Sequence, residues 1–176
     1  KGNDRGSDGV SISGKTITIN GNGNVIIDAD HKSRIFNIAS DATVTLKGIT
    51  FINGNSTGHG GSISSTGKLI IEDCKFINNT AVRLGGAISF GKGSENATVL
   101  NSTFDNNTAK RNGGAISWDG TNGHMEDCTF RNNSALGTDI NTDIFNPTSL
   151  DDFKHNGTAV PTYTPAGNKK EMYIRY

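Results

Sequence analysis

The stretch Phe76-Ile-Asn-Asn-Thr-Ala81 is followed by Gly85-Gly-Ala-Ile88, and the same two blocks return as Phe104-Asp-Asn-Asn-Thr-Ala109 and Gly113-Gly-Ala-Ile116. Single residues of these blocks recur along nearly the whole chain. Isoleucines stand at intervals of 24 to 28 residues: Ile12, Ile38, Ile63, Ile88, Ile116 and Ile140. Phenylalanines follow at intervals of 23 to 28 residues: Phe51, Phe76, Phe104, Phe130 and Phe153. This period predicts stacked coils of one repeating unit.

Apolar residues alternate with polar ones ahead of each phenylalanine, which is typical of short strands with one inward face. Five positions before the phenylalanines stand apolar residues: Leu46, Ile71, Val99 and Met125. No stretch has a convincing helical period. We therefore predict an all-β fold: a single-stranded parallel β-helix, a solenoid expected to be right-handed, of about six coils with two or three short strands each.

The repeats predict two parts of the chain. Residues 1–155 hold the solenoid, and the irregular residues 156–176, with Pro161 and Pro165, are expected to be a C-terminal cap or the start of a following segment. The polar start at Lys1 shows no signal peptide, and the first turn signals look like the middle of a coil. The sequence is therefore interpreted as a fragment of a longer protein, which the family resemblance described below implies to be a surface protein.

Two further columns test the prediction of stacked coils. Asparagines follow the phenylalanines by two or three positions, where stacked amides can bond from coil to coil: Asn53, Asn78, Asn106 and Asn132, then Asn79, Asn107, Asn133 and Asn156. Cys74 and Cys128 share a column two coils apart, a separation of about 9.6 Å by strand spacing. A disulfide needs Cα atoms within about 7 Å, so we predict two buried free thiols.

Composition restricts the partners. Lys+Arg and Asp+Glu both number 17, so the net charge is zero, and nothing favours nucleic acid or an anionic membrane. No apolar run approaches the roughly 18 residues of a membrane span, so no membrane insertion is expected in this segment.

The paired Gly-Gly-Ala-Ile and Phe-x-x-Asn signatures resemble the polymorphic outer-membrane-protein repeat of chlamydial surface proteins. The coil beginning Gly48-Ile-Thr-Phe-Ile-Asn-Gly-Asn55 is also similar to adhesin-like β-helix proteins of methanogenic archaea. The resemblance spans about residues 10 to 145. It implies a secreted or surface-anchored stalk with adhesive roles, located outside the cell, and it implies no catalytic residue set.

An enzyme is the alternative, because β-helices also form polysaccharide lyases and hydrolases. The acidic pairs Glu72-Asp73 and Glu126-Asp127 repeat at one position, where carboxylates could bind Ca²⁺, but a solvated corner of the coil explains them more simply. The four histidines share no column and have no metal-ligand spacing. The sequence thus predicts no catalytic, cofactor-binding or metal-binding residue. An ice-binding surface ranks last, since the Thr-x-Thr pairs do not recur in later coils.

Four residues are candidates for ligand binding. Phe90 and Trp118 should lie one above the other, either as a solvent-facing platform for a sugar ring or, as strand alternation favours, in the core. Arg83 and Arg111 share a column before the glycine pairs, where they form either a charged surface or a contact to an anionic glycan. We predict a non-enzymatic, adhesin-like module that acts as a stalk or binds glycans or proteins of host or neighbouring cells.

Overall fold

The computed structural model describes residues 8–136 in full and, as backbone strands only, residues 144–145, 153–154, 162–166 and 169–173. Within these described residues there is no helix, and short parallel strands form stacked coils. The predicted all-β parallel β-helix is confirmed. Its first sheet has six strands, one for each coil, connected by about five turns of the solenoid.

Coils three to five contain four strands each, more than the two or three predicted. The first two coils contain β1 (Val10–Ile12) and β2 (Thr16–Asp28), then β3 (Phe36–Ile38), β4 (Thr43–Ile52) and β5 (Asn55–Ser56). The third contains β6 (Ile63–Ser65), β7 (Lys68–Glu72), β8 (Lys75–Ile77) and β9 (Thr80–Ala81). The fourth contains β10 (Ile88–Phe90), β11 (Thr98–Leu100), β12 (Thr103–Asp105) and β13 (Thr108–Ala109). The fifth contains β14 (Ile116–Trp118), β15 (Gly123–Glu126), β16 (Thr129–Arg131) and β17 (Ser134–Ala135). The later strands are β18 (Ile144–Phe145), β19 (Phe153–Lys154), β20 (Thr162–Ala166) and β21 (Lys169–Tyr173).

The strands form three parallel sheets along the solenoid. The serine sheet, named for its central Ser64, Ser89 and Ser117, has the order β1-β3-β6-β10-β14-β18. The phenylalanine sheet has the order β16-β12-β8-β4-β7-β11-β15-β19, with β2 also paired to β4, and a small sheet has the order β17-β13-β9-β5. Strands β20 and β21 form a separate antiparallel pair. The predicted boundary at residue 155 lies outside the described residues and stays a prediction.

Four phenylalanine rings form a continuous stack inside the phenylalanine sheet. Ring centroids lie 4.9 Å apart for Phe51 and Phe76, and 5.0 Å apart for both Phe76–Phe104 and Phe104–Phe130. The planes differ by at most 11°. This confirms the predicted file for four of its five members. The fifth is wrong, because Phe153 pairs with Gly123 in the β15–β19 register.

The isoleucine ladder departs from the prediction at two steps. Ile63, Ile88 and Ile116 are in register as predicted, but the residue paired with Ile63 is Phe36, and Ile38 pairs with Ser65. A shift of two residues keeps every inward side chain inward, so the apolar pattern could not reveal it. Ile140 lies outside the described residues, and the partner of Ile116 is Ile144.

The inner asparagine ladder forms as predicted across the described coils, and the outer ladder forms from Asn53 to Asn106, whereas Asn132 Nδ2 donates to Asp105 Oδ1 at 3.1 Å. In the inner ladder, the Nδ2 atoms of Asn79 and Asn107 donate to the Oδ1 atoms of Asn107 and Asn133, both at 2.9 Å. These Oδ1 atoms also accept bonds from backbone amides of the preceding coil. The outer ladder occupies a corner where left-handed backbone is required, with φ between 54° and 56°: Asn53, Asn78, Asn106 and Asn132. Asn156 lies outside the described residues.

The two cysteines are free and buried, as predicted. Each sulfur donates to backbone carbonyls, for example Cys74 Sγ to the Glu72 oxygen at 3.1 Å. Burial raises the pKa of Cys74 to about 11 and that of Cys128 to about 12. Both thiols are therefore protonated core residues at neutral pH.

Candidate functional site

Phe90 and Trp118 stack as predicted, but they do so inside the solenoid. Their centroids are 4.2 Å apart, and their exposed fractions are 0% and 1%. Each ends a strand of the serine sheet and faces the core together with the isoleucine two positions earlier. Of the two alternatives, the core position is the one that the structure has, and neither ring presents a solvent-facing platform.

The core makes room for these rings on the opposite side of each coil. A Cβ atom at Gly123 would lie within 2.5 Å of the Trp118 indole. In the preceding coil the equivalent of Gly123 is Ala97, and the coil before that has Leu69. As the side chain shrinks from Leu to Gly, the serine-sheet residue grows from Ser65 through Phe90 to Trp118. Such compensation is expected where a core is packed to a constant density.

The glycine pairs lead the chain from a surface corner into the serine sheet. The first glycine of each pair has φ between 65° and 69°, a left-handed conformation that strains most other residues: Gly60, Gly85 and Gly113. At the second position a Cβ would clash with the backbone of the next coil, as Gly86 would with Gly114. Coils can approach at this corner only because both positions are glycine.

Arg83 and Arg111 share a column immediately before these corners, as predicted. The Arg83 amide donates to the Gly58 carbonyl at 2.9 Å, and the Arg111 amide donates to the Arg83 carbonyl at 3.1 Å. Both side chains are exposed, as is the adjacent Lys110. This flank therefore presents cationic groups one coil apart. Their role in ligand binding stays a prediction.

A buried arginine fixes the corner one coil earlier. Arg34 is 7% exposed, and its guanidinium donates to the His59 carbonyl at 2.7 Å, to the Gly60 carbonyl at 3.0 Å and to Ser56 Oγ at 2.8 Å. Asp8 neutralises it at 3.4 Å. Partial burial lowers the pKa of His59, and the positive charges of Arg83, Arg34 and Arg111 lower it further. Burial and these guanidinium groups therefore favour the neutral form of the His59 imidazole.

A groove of about 240 Å³ crosses the outer face of the serine sheet. Its floor contains the central residues of three successive strands, Ser64, Ser89 and Ser117, which are paired in register. One wall contains His59 and Leu84 and the other contains Asp119, with further lining from Thr66 and Gly91. The groove therefore joins a row of hydroxyl groups to a basic flank.

The repeated acidic pairs lie elsewhere and serve the fold. Asp73 and Asp127 have φ values of 54° and 52°, so they occupy left-handed corners. Glu72 pairs with Lys47 at 3.0 Å, and the amide of Asn101 donates to Asp73 at 2.7 Å. These contacts favour the solvated-corner interpretation over a catalytic cluster.

The described part of the chain contains neither a candidate metal cluster nor a helix that could span a membrane. No group of three or more His, Cys, Asp or Glu side chains is placed to hold a metal ion. Among the same residues, no helix is long and apolar enough to cross a membrane.

Sequence reasoning missed most of the groove. Ser64, Ser89 and Ser117 each follow an isoleucine of the ladder, so their common column was visible as the recurrent pair Ile-Ser. An outward serine is ordinary in a strand, however, and gives no sign of a site by itself. The positions of His59 and Asp119 along the walls depend on loops that differ from coil to coil.

Two segments of the chain, residues 73–91 and 101–117, match the family model of the Chlamydia polymorphic membrane protein repeat. Each begins just before a phenylalanine block and ends within or just after a serine-sheet strand. The suspected repeat is thus present at two places, while the likeness to archaeal adhesin-like proteins stays a prediction. Neither the curated proteins nor the solved structures gave a match to the chain.

Proposed function

We propose that this chain, which carries the polymorphic membrane protein repeat at two places of one continuous solenoid, is a non-enzymatic adhesive module of a cell-surface protein. Its coils act as a stalk within a longer parent chain, and its flank binds a glycan or a protein of another cell. The observation that carries the proposal is that the two matched segments coincide with equivalent parts of successive coils.

The internal contacts suit a stalk. Each coil bonds to the next through the parallel sheets, the inner asparagine ladder and the phenylalanine stack. Cohesion is therefore distributed along the axis, with each coil stabilised by its neighbours, as in other solenoids. Such a rod can hold a binding surface away from its point of attachment.

The exposed column of Arg83 and Arg111 is the part of this surface that we assign to the ligand. Guanidinium groups bind carboxylates, sulfates and phosphates through paired hydrogen bonds. Two of them one coil apart can contact successive anionic groups of a glycan or acidic side chains of a protein. Neither is paired to a carboxylate among the described residues.

A cell-binding experiment tests the proposal. Beads coated with the 176-residue chain are expected to bind to cells more than albumin-coated beads do. The double variant Arg83→Ala, Arg111→Ala should reduce this binding severalfold, whereas Arg131→Ala should not. Arg131 is a matched exposed arginine on the phenylalanine sheet, where it pairs with Asp105 at 3.1 Å. Binding at the albumin level across a panel of cell types would contradict the adhesive function.

The enzymatic alternative is tested separately with acidic and neutral polysaccharides. No turnover is expected from the chain. Turnover that Asp73→Ala or Asp127→Ala abolishes would replace the adhesive proposal with a carbohydrate-active one.

A further inference from the structure

The floor of the groove is lined by serine hydroxyl groups. Ser89 and Ser117 are 7% and 2% exposed, and their side chains form no hydrogen bond with any residue that the structure describes. Their neighbours on each strand face the core, so strand alternation directs the serines outward into the groove. Both hydroxyls line the groove, where they can donate and accept hydrogen bonds with a ligand.

The row of serines follows the solenoid axis. Ser64, Ser89 and Ser117 belong to three consecutive coils, and their spacing is about 4.8 Å per coil. A linear polysaccharide presents its hydroxyl groups at intervals of about one sugar ring, which is a comparable length. An extended chain lying along the axis can therefore place one sugar over each coil.

The surroundings favour a glycan over an extended peptide. A peptide would ordinarily bind a sheet by adding a strand to a free edge. Strand β10 has no free edge, because β6 and β14 pair with it on both sides. The floor offers side-chain hydroxyls and Leu84 offers an apolar wall, a combination that suits a sugar ring with one polar edge and one apolar face.

The charges beside the groove favour an acidic ligand. Arg83 directly precedes the wall residue Leu84, and Arg111 lies one coil further along the same column. Both act electrostatically on the wall residue His59. Asp119 is the one carboxylate among the residues that line the groove, and it lies on the opposite wall. A ligand with acidic groups along one edge matches this arrangement.

We propose that the groove over Ser64, Ser89 and Ser117 binds a linear acidic polysaccharide parallel to the solenoid axis, with its anionic groups toward Arg83 and Arg111. The inference rests on the proposed adhesive function and specifies its ligand class. The serines recognise sugar hydroxyls, and the arginines select acidic chains over neutral ones.

Calorimetric titration of the full chain tests the proposal with three probes: oligogalacturonides, their neutral methyl esters and a sulfated linear glycan. At least one acidic probe should bind at least tenfold more tightly than the neutral one, because charge-assisted bonds are lost with the esters. Ser89→Gln, which fills the groove, and the double variant Arg83→Ser, Arg111→Ser should each weaken acidic binding about tenfold or more. Arg131→Ser, on the other sheet, should leave it unchanged.

Melting curves establish whether each variant folds. If Ser89→Gln does not fold, Ser64→Gln replaces it, because Ser64 is half-buried and lies one coil earlier. Acidic binding that is retained in the groove variant but lost in the arginine variant would overturn the groove and leave a flank-binding adhesin. Equal affinity for neutral and acidic chains would overturn the acidic class. If neither acidic probe binds, the inference is wrong, while the cell-binding experiment decides the adhesive function independently.

Discussion

The serine sheet and the phenylalanine sheet are alike inside and different outside. Both bury apolar residues that are in register from coil to coil. On the outside of the phenylalanine sheet, long charged side chains pair with one another, as Lys47 does with Glu72 at 3.0 Å and Arg131 with Asp105 at 3.1 Å. On the outside of the serine sheet, short hydroxyls line a groove beside a basic flank and form no hydrogen bond with the residues that the structure describes. The outer face of the phenylalanine sheet therefore pairs its own charged groups, whereas the outer face of the serine sheet leaves polar groups available to a ligand.

The largest effect should come from breaking the inner stack. Phe76 lies between Phe51 and Phe104 and is fully buried. We expect Phe76→Ala to lower the free energy of unfolding by about 3–5 kcal/mol, because it removes buried area and leaves a cavity. Urea denaturation measures the change. Phe76→Leu serves as the control and should cost clearly less, and a loss below about 1 kcal/mol for the alanine variant would contradict a cohesive stack.

Removal of one inner amide should have the next largest effect. The Asn107 side chain donates to the Phe76 carbonyl at 3.0 Å and accepts the Asn79 amide at 3.0 Å. Asn107→Ala leaves both buried backbone groups unpaired, so we expect a loss of about 3 kcal/mol, since each such group costs about 1–3 kcal/mol. The matched control is Asn106→Gly in the outer ladder, where φ is 56° and glycine is well tolerated. Equal losses for the two variants, measured by urea denaturation, would refute the distinction between the ladders.

The stability of the protein should depend on pH through His59, which lies beside the basic flank. The pKa of His59 is lowered in the folded state by burial and by Arg83, Arg34 and Arg111. As the pH falls below about 6.5, the His59 imidazole binds a proton in the unfolded chain before it does so in the folded chain. The free energy of unfolding should therefore fall. We expect the wild type to lose more stability between pH 7.5 and pH 5 than His59→Gln does. Identical pH profiles would show that His59 does not experience these charges.

The smallest effect is expected at the groove floor. Ser89→Ala should change the free energy of unfolding by less than about 0.5 kcal/mol, because the Ser89 hydroxyl has no hydrogen-bond partner among the described residues. Ser102 is the matched control, since its hydroxyl donates to the Leu100 carbonyl at 2.7 Å and accepts the Cys74 amide at 3.1 Å. Ser102→Ala should cost about 1–2 kcal/mol. Thermal or urea denaturation measures both variants. If Ser89→Ala lowers the free energy of unfolding as much as Ser102→Ala does, the groove floor has a structural role.

The sequence allowed several contacts to be predicted correctly. Phe76 over Phe104, Asn79 bonded to Asn107 and the two unpaired thiols all follow from sequence blocks that keep the same internal spacing in each coil. Stacking of equivalent positions is enforced by the hydrogen bonds between parallel strands, so this internal spacing is sufficient to place these residues even though the interval between blocks varies. Burial of Trp118 also follows from strand alternation.

Other contacts could not be predicted, for identifiable reasons. Ile38 and Phe36 are both apolar and inward, so nothing in the pattern distinguishes which of them pairs with Ile63. The interval to Ile140 agreed with the period, yet Ile144 takes the position beside Ile116. An apolar residue at nearly the right interval is therefore a weak guide to register where the loops vary in length.

The sequence by itself determined the repeat, the inward files and the cationic column of Arg83 and Arg111, because each depends only on spacing along the chain. Only the tertiary structure decided the register of Phe36 and the existence of the groove. Register depends on how loops of unequal length close each coil. The groove exists because separate coils bring His59, the serine row and Asp119 to one surface, and no interval along the chain encodes that proximity.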